Sequence, residues 1–322
     1  MKIINIFGTR PQYIKVASIL RELGNHDVIN IDTGQHYDKV LSENFIKEFN
    51  IKVHYITKSV TAIQVILNKI KPDFTLLYGD TFSTIIGLIA SLKYNPCHIE
   101  AGCRSFSNTP EEISRFVTDH LCKIRFTSTK SDLLNLNNEA LDGIFVGDVM
   151  FDNFKFYKNK LKQTEKGYIY LTLHRGENVD NRKILKSIVD ELNKVNRRII
   201  LPIHPRLKKR MKEFDLIFNS NIEIISPLPY IKNLSMIKYA DIIITDSGGI
   251  QKEAYWLKRP CLTLRETTEW IETVNDGWNK ICKCEDIIDE INNISLGKIQ
   301  YQHYGNGNAS KKIIGYLEYK YE

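Results

Sequence analysis

Short apolar segments alternate with longer amphipathic segments along almost the whole chain. Short apolar runs predict buried strands, whereas apolar residues spaced three and four positions apart predict helices. The predicted strands are residues 2–7, 28–32, 74–78, 97–99, 124–127, 143–146, 168–173, 198–203, 222–225, 241–245 and 260–264. The predicted helices include residues 11–23, 38–48, 60–70, 110–122, 182–195 and 249–258. This alternation is typical of parallel sheets covered by helices.

The number of strands predicts an α/β protein with two Rossmann-like domains. A chain of 322 residues is long for a single core, and its strands are too many for one compact sheet. The polar, lysine-rich segment 152–166 lacks a strong strand pattern and marks the boundary. An eight-stranded β/α barrel is the alternative architecture. We favour two domains because each half has the pattern of a complete open sheet.

The most informative segment runs from Asp241 to Ala254. An apolar strand ends there at Asp-Ser-Gly-Gly, and a helical pattern follows. A strand, a small polar turn and a helix direct free backbone N–H groups at an anion, so Ser247, Gly248 and Gly249 are candidate phosphate ligands. Glu253, one turn into the helix, is placed to accept hydrogen bonds from ribose hydroxyls. The alternative is an ordinary helix cap, since short glycine motifs are weakly specific.

Polar residues follow nearly every predicted strand. In open α/β sheets, ligands bind beyond the carboxyl ends of the strands. The segments at these positions are Gly8-Thr9-Arg10, Thr33-Gly34-Gln35-His36, Gly79-Asp80-Thr81, Glu100-Ala101-Gly102, Gly147-Asp148, His174-Arg175, His204-Pro205-Arg206 and Asp246-Ser247-Gly248. Together they predict one cleft between two domains.

Composition limits the kinds of partner. The net charge of +7 suits an anionic ligand, but the basic residues are dispersed, which argues against nucleic acid. No segment has the length and apolarity of a membrane span, and the N-terminal apolar run is too short for a signal peptide. The six cysteines lack zinc-site spacing, and we interpret them as buried thiols in a reducing cytoplasm. Gly8-Thr9-Arg10-Pro11 stands where GxGxxG would follow the first strand, so no dinucleotide cofactor is expected.

Six co-linear motifs resemble those of the non-hydrolysing UDP-N-acetylglucosamine 2-epimerases. The motifs are Gly8-Thr9-Arg10-Pro11-x-x-Ile14-Lys15, Gly79-Asp80-Thr81, Ile99-Glu100-Ala101-Gly102, Pro110-Glu111-Glu112, His174-Arg175-x-Glu177-Asn178 and Thr245-Asp246-Ser247-Gly248-Gly249-Ile250-Gln251. The resemblance implies a GT-B fold, whose two parallel sheets face a central cleft, and a cytoplasmic homodimer without cofactor or metal. It implies an N-terminal domain at residues 1–158 with the catalytic carboxylates and a UDP-binding domain at residues 159–304. A C-terminal helix at residues 305–322 is expected to pack back on the N-terminal domain.

The resemblance also implies the reaction and its residues. The family interconverts UDP-GlcNAc and UDP-ManNAc by anti elimination of UDP to 2-acetamidoglucal and syn re-addition, which supplies precursors of surface polysaccharides. The implied catalytic residues are Asp80, Glu100, Glu111 and His174, with the choice of base among the carboxylates left open. The implied substrate-binding residues are Arg10, Lys15, Ser247, Gly248, Gly249 and Glu253. Gln35, His36, Arg175 and His204 match part of a second nucleotide-sugar site.

Two departures from the family pattern keep other functions open. Gln12 replaces the usual Glu after Arg-Pro, and Trp270 stands where many members have an Arg. Several motifs also resemble a sister branch that epimerises UDP-2,3-diacetamido-2,3-dideoxyglucuronic acid. A GT-B glycosyltransferase, a hydrolysing epimerase and a non-catalytic nucleotide-sugar binding protein are the remaining alternatives. Asp80 is also placed to cap a helix near Ser83, and Glu111 suits any first helical turn.

Overall fold

Two parallel sheets organise the chain into two units. The computed structural model describes residues 1–35, 39–295, 297 and 299–322, and of residues 39–42 it describes the backbone alone. Unit 1 comprises Met1–Asn159 and Gln302–Glu322, and unit 2 comprises Lys160–Tyr301. Among the described residues, no helix has the length and apolarity needed to cross a membrane.

Unit 1 is built on a seven-stranded sheet with helices between consecutive strands. Its strands are β1 (Lys2–Phe7), β2 (Asp27–Asp32), β3 (Tyr55–Ile56), β4 (Phe74–Tyr78), β5 (Pro96–Ala101), β6 (Ile124–Thr127) and β7 (Ile144–Phe145). Its first helices are α1 (Arg10–Glu22), α2 (Lys39–Glu48), α3 (Val60–Ile70), α4 (Phe82–Ser91), α5 (Pro110–Leu121), α6 (Lys130–Asn138) and α7 (Val149–Tyr157). The strand order is β3-β2-β1-β4-β5-β6-β7, so the winding direction reverses between β1 and β4.

Unit 2 repeats this plan with a six-stranded sheet. Its strands are β8 (Ile169–Thr172), β9 (Ile199–Pro202), β10 (Ile222–Ile225), β11 (Ile242–Thr245), β12 (Cys261–Thr263) and β13 (Asn279–Ile281). Its helices are α8 (Gly176–Val179), α9 (Arg182–Lys194), α10 (Pro205–Glu213), α11 (Tyr230–Tyr239), α12 (Gly248–Trp256), α13 (Ile271–Asn275) and α14 (Ile287–Asn293). The order β10-β9-β8-β11-β12-β13 places the reversal between β8 and β11.

The last helix, α15 (Ala309–Tyr321), belongs to unit 1 and packs against α1 and α7. The Asp152 carboxylate accepts hydrogen bonds from the backbone N–H groups of Ala309 and Ser310, at 3.1 and 2.7 Å. These are orphan donors at the start of a helix, and a carboxylate there also complements the helix dipole. Asp152 therefore fixes the point at which α15 begins.

Gln12 joins the loop after β1 to the end of β4. Its side-chain oxygen accepts from the N–H groups of Gly8 and Thr9, at 2.8 and 3.1 Å. Its amide nitrogen donates to the Tyr78 carbonyl at 2.7 Å and to the Thr84 hydroxyl at 3.1 Å. The side chain is buried and uses both ends of the amide. A carboxylate could accept the first pair of hydrogen bonds but could not donate the second pair.

The predicted fold class is confirmed: both units are α/β with parallel sheets. All eleven predicted strands form, and the helix predicted at residues 60–70 has those bounds. The barrel alternative is wrong, because the strands form two open sheets. The sequence did not predict β3 or β13, which are only two and three residues long.

We expect Gln12→Glu to destabilise the protein by about 1–3 kcal/mol, because the Tyr78 carbonyl and Thr84 lose their donor. Urea unfolding measures this change. Gln64→Glu makes the same chemical change at an exposed position of α3 and should shift the free energy of unfolding by at most about 0.5 kcal/mol. Equal stability of both variants would show that the amide nitrogen of Gln12 contributes nothing.

Candidate functional site

The predicted carboxylates of unit 1 lie at the carboxyl edge of its sheet, beside the reversal between β1 and β4. Asp80 follows β4, and its carboxylate forms an ion pair with the Arg115 guanidinium of α5. Arg115 is buried and also contacts Glu112 at 2.9 Å. Thr81, not Asp80, occupies the cap position of α4. The capping role considered for Asp80 is therefore wrong, and its carboxylate is held by α5 instead.

Glu100 pairs with Lys15 of α1 at the end of the neighbouring strand, β5. The two side chains are 9% and 5% exposed, so water screens this ion pair little. Gly79 lies against the pair: a Cβ at this position would be 2.8 Å from Lys15 Nζ and 3.2 Å from Glu100 Oε1. With a φ of +60°, Gly79 is also in a conformation that favours glycine. Asp80 and Glu100 thus leave adjacent strands, each beside a buried cation.

Glu100 has an unusual backbone conformation. Its φ is +74°, in the left-handed region that residues with a Cβ avoid. The pairing of β5 with β6 shifts register between Ile99 and Ala101, so Glu100 sits in a β-bulge. Such strain costs on the order of 1–3 kcal/mol and clusters at functional sites. The bulge redirects the Glu100 side chain out of the regular strand alternation.

One face of α5 supplies further polar groups. Thr109 caps this helix, Pro110 opens it, and Glu111 lies in the first turn, one turn before Arg115. Glu112 accepts from the N–H groups of Ser105 and Phe106 at 3.0 and 3.1 Å, which fixes the preceding loop. The structure therefore gathers Asp80, Glu100 and α5 at one edge of unit 1.

Arg10 and Gln35 follow the neighbouring strands β1 and β2. The Arg10 guanidinium lies 5.0 Å from the centre of the Phe45 ring. Gln35, predicted for a second nucleotide-sugar site, accepts hydrogen bonds from the N–H and hydroxyl of Ser83 in the first turn of α4, at 2.9 and 2.6 Å. His36 lies outside the described residues.

In unit 2, the fully buried Asp246 carboxylate organises the edge beside the reversal between β8 and β11. It accepts from the backbone N–H groups of His174 and Arg175 at 3.0 and 2.9 Å, and His174 Nδ1 lies 3.0 Å from it. Asn178 Nδ2 also donates to it, at 3.3 Å. Asp246 therefore fixes the loop after β8 and orients the half-exposed His174 ring.

Burial by itself raises the pKa of the Asp246 carboxyl. The positive charge and hydrogen bond of His174 and the two backbone N–H groups outweigh this effect, so the pKa is lower than usual. The sequence grouped Asp246 with the phosphate-binding turn, but its oxygens face the loop after β8. The ionised carboxylate is thus a structural centre of this edge.

The turn after Asp246 presents the first turn of α12. Ser247 occupies the cap position, and among the described residues its hydroxyl makes no capping hydrogen bond. Gly248 is packed tightly: a Cβ there would be 2.6 Å from Glu269 Oε1 and 3.0 Å from Trp270 Nε1. Gly249, next in the helix, is half-buried. This helix start has the backbone donors and dipole that favour an anion.

Glu253 lies farther along α12 and is buried. Asn233 of α11 lies 3.5 Å from its carboxylate and accepts a hydrogen bond from the Tyr170 hydroxyl at 2.7 Å. The position of Glu253 on the helix is therefore supported from α11.

Charged residues that the sequence did not single out line the same edge. Arg265, just after β12, pairs with Glu269 at 2.7 Å, and Arg175 Nη2 lies 3.8 Å from the same carboxylate. Lys252 is fully buried, with its Nζ 3.8 Å from the centre of the Trp270 ring. Besides Trp270, the four-residue spacing of Arg265 and Glu269 after a strand was a sequence signal for this cluster.

His204 lies next to His174. Their ring centres are 5.4 Å apart, and His204 caps α10 by accepting a hydrogen bond from the Arg206 N–H at 3.2 Å. Unit 2 therefore gathers His174, Arg175, His204 and Ser247 at one edge. The chemistry differs between the units: unit 1 holds carboxylates suited to proton transfer, and unit 2 offers cations and backbone donors suited to an anion.

Comparison with known proteins gives one family. The family model described as UDP-N-acetylglucosamine 2-epimerase matches residues 19–318. A Methanococcus maripaludis protein described as a UDP-N-acetylglucosamine 2-epimerase homolog is 41% identical, over 98% of this chain and 99% of its own. A Pseudomonas aeruginosa protein described as UDP-2,3-diacetamido-2,3-dideoxy-D-glucuronate 2-epimerase is 35% identical, also over 98% and 99%.

Solved structures agree with these matches. The Methanocaldococcus jannaschii UDP-GlcNAc 2-epimerase, solved in complex with UDP-GlcNAc and UDP, has a TM-score of 0.91 and 36% identity. The match covers 99% of this chain and 100% of that one. The wall teichoic acid polymerase TagF, at 14% identity, has a TM-score of 0.54, a likeness in fold alone that covers 99% of this chain and 89% of that one. The family resemblance and the GT-B fold class predicted from the sequence are confirmed.

We expect Asp246→Asn to lower the free energy of unfolding by about 2–3 kcal/mol at pH 7, because the His174 loop loses its charged acceptor. The pKa of the Asp246 carboxyl is lower in the folded state than in the unfolded state, where it is about 3.9. The ionised carboxylate therefore stabilises the fold at pH values above the unfolded-state pKa, and this effect is lost as the pH falls through the folded-state pKa. Urea unfolding at pH 7 and pH 3 should therefore show a smaller difference from wild type at pH 3.

Asp190→Asn is the matched control, since Asp190 is exposed on α9 and pairs with another exposed side chain, Lys186. It should leave stability nearly unchanged at both pH values. If the free energy of unfolding differs between wild type and Asp246→Asn by the same amount at both pH values, the negative charge assigned to Asp246 is contradicted.

Proposed function

Because the chain belongs to the UDP-N-acetylglucosamine 2-epimerase family, a family of isomerases, we propose that it interconverts UDP-GlcNAc and UDP-ManNAc. The observation that carries this proposal is the pairing at the edge of unit 1. Asp80 and Glu100 leave adjacent strands, and each is held beside a buried cation. Carboxylates held in place at such an edge are the kind of group that proton transfer at C2 requires.

The reaction proceeds by elimination and re-addition. A carboxylate takes the proton from C2, the C1–O bond to UDP breaks, and 2-acetamidoglucal and UDP form. A UDP oxygen then bonds to C1 from the face it left, and an acid returns a proton to the opposite face of C2. Two proton-transferring groups are needed, and Asp80, Glu100 and Glu111 supply them. The positions of these three carboxylates, after β4, in β5 and at the start of α5, support this assignment.

Unit 2 retains UDP while the glucal exists. Backbone N–H groups of Ser247, Gly248 and Gly249 bind the diphosphate at the start of α12, and Glu253 accepts from the ribose hydroxyls. Arg10, Lys15 and His174 neutralise the negative charge that grows as UDP departs. Gly248 has no Cβ, and Glu269 and Trp270 leave no room for one, so glycine is required at this helix start.

A second substrate is favoured by one relative. The Pseudomonas aeruginosa protein is described as acting on a diacetamido-glucuronate, and its identity to this chain is close to that of relatives described as acting on UDP-GlcNAc. Both substrates undergo the same chemistry at C1 and C2. NMR of the protein with each UDP-sugar in D₂O distinguishes them by deuterium at C2 and by product, and no exchange with either would contradict the proposed function.

The proposed assembly is a homodimer. Large apolar side chains are exposed on α4 and α5, which pack side by side in unit 1. We define this α4–α5 apolar face by Phe82, Ile89, Ile113 and Phe116, which are 47–64% exposed. Contiguous exposed apolar groups mark interaction surfaces, and a second copy of the chain presents the same face in return.

The enzyme is proposed to act in the cytoplasm, where it supplies a nucleotide sugar for surface polysaccharide. Its six cysteines are all free thiols. Burial raises the pKa of the Cys261 thiol to about 12, which keeps it protonated and unreactive. Free, unreactive thiols suit a reducing compartment.

We expect Asp80→Asn to lower kcat for C2 exchange by about 10²–10⁴-fold, because a group that transfers the C2 proton is lost. UDP affinity, measured by calorimetry, should stay close to wild type, since unit 2 binds UDP. Asp142→Asn, at an exposed position of unit 1, is the control and should keep full activity. Equal loss of UDP binding and exchange would show that Asp80 is structural.

We expect the wild type to sediment as a dimer and the double variant Ile113→Asp/Phe116→Asp to sediment as a monomer. Burying the two new carboxylates in the interface without a cationic partner would be costly. Ile217→Asp places the same charge at a 75%-exposed position of unit 2 and should leave the dimer intact. A dimer that survives the double substitution would exclude the α4–α5 apolar face.

A further inference from the structure

Behind the carboxylates of unit 1 lies a buried ion pair, His98 with Asp119, that no step of the proposed reaction uses. Both side chains are 0% exposed, and His98 Nδ1 lies 2.6 Å from Asp119 Oδ1. His98 belongs to β5 and Asp119 to α5. Burying two charges is expensive, and replacing such a pair with apolar residues is often neutral or stabilising. Stability alone therefore does not account for this pair.

The other ring nitrogen of His98 lies 2.8 Å from the Gly79 carbonyl oxygen. Both ring nitrogens thus lie within hydrogen-bonding distance of an oxygen acceptor. Gly79 is the residue directly before Asp80. His98 therefore ties the end of β4, where Asp80 begins, to the carboxylate of Asp119.

The second oxygen of Asp119 holds the chain on the far side of Glu100. It accepts from the Gly102 N–H at 3.0 Å and from Arg104 at 2.7 Å. Gly102 has no room for a side chain, because a Cβ would be 2.2 Å from the Asp132 carbonyl oxygen. Burial raises the pKa of the Asp119 carboxyl, but the charges and hydrogen bonds of His98 and Arg104 lower it overall.

These contacts surround the strained residue. His98 and Gly102 are two residues before and two residues after Glu100, and both are bound to the same carboxylate group. Glu100 keeps its φ of +74° only if the surrounding structure holds it there. One buried group thus fixes both sides of the Glu100 bulge and, through His98, the backbone that leads to Asp80.

We propose that His98 and Asp119 are positioning residues for proton transfer at C2: they hold Glu100 and Asp80 in register with each other. This role rests on the proposed 2-epimerase function. It concerns the placement of the carboxylates and not the binding of UDP. A displacement of about 1 Å at a reacting group can cost on the order of 100-fold in rate.

The test uses three variants of the full-length protein. Asp119→Asn keeps the size of the side chain but removes its charge. His98→Asn keeps a donor near the position of Nδ1 and loses the contact with Gly79. Glu139→Gln is the control, because Glu139 pairs with Arg104, as Asp119 does, whereas His98 and Gly102 hydrogen-bond to Asp119. For each we measure kcat and KM for C2 exchange in D₂O, UDP affinity and thermal unfolding.

We expect kcat to fall about 10–100-fold in both Asp119→Asn and His98→Asn, with UDP affinity unchanged and with Glu139→Gln close to wild type. The proposal is overturned if both variants keep the wild-type kcat at temperatures well below their unfolding temperatures, even if their Tm is lower. The pair would then have a structural role only. If neither variant folds, ¹⁵N NMR of the wild type decides: two protonated ring nitrogens on His98 support the arrangement, and one contradicts it. Absence of C2 exchange in the wild type itself contradicts the proposed function, and the positioning role falls with it.

Discussion

A carboxylate buried at the edge of a parallel sheet must receive hydrogen bonds and positive charge from its surroundings, and each unit of this protein is organised about one. In unit 2, Asp246 receives the backbone of His174 and Arg175 and the His174 ring. In unit 1, Asp119 receives His98, Arg104 and the Gly102 N–H. An unpaired buried charge would cost several kcal/mol, so the loops that satisfy these groups have little freedom. The conformation of each edge follows from that requirement.

The two edges are suited to different parts of the proposed reaction. The start of α12 in unit 2 offers backbone donors, and near it the guanidinium groups of Arg175 and Arg265 share the carboxylate of Glu269. The edge of unit 1 holds carboxylates beside cations. Helix α5 contributes three regularly spaced charged residues. Glu111, Arg115 and Asp119 are four residues apart, so they share one face of that helix. A single helix thus carries a candidate acid, the partner of Asp80 and the carboxylate behind Glu100.

The sequence predicted the fold well because strand ends and helix starts have local signals. Thr109-Pro110-Glu111-Glu112 is such a signal, and α5 begins there. Strands β3 and β13 were missed because no buried apolar run marks them: both residues of β3 are exposed, and β13 has one apolar residue among three. Side-chain partners were not predictable in the same way. Nothing local indicates that Arg115 meets Asp80, 35 residues away, or that Lys252 is buried against Trp270.

In the proposed reaction, UDP leaves C1 and returns to it within one catalytic cycle. Positional isotope exchange tests it most directly, with UDP-sugar carrying ¹⁸O in the bond between C1 and the β-phosphate. Elimination and re-addition predict that the label moves to non-bridging oxygens of the β-phosphate while deuterium from D₂O enters C2. Epimerisation with the label fixed in the bridge would show that the C1–O bond never breaks, and would contradict the elimination mechanism.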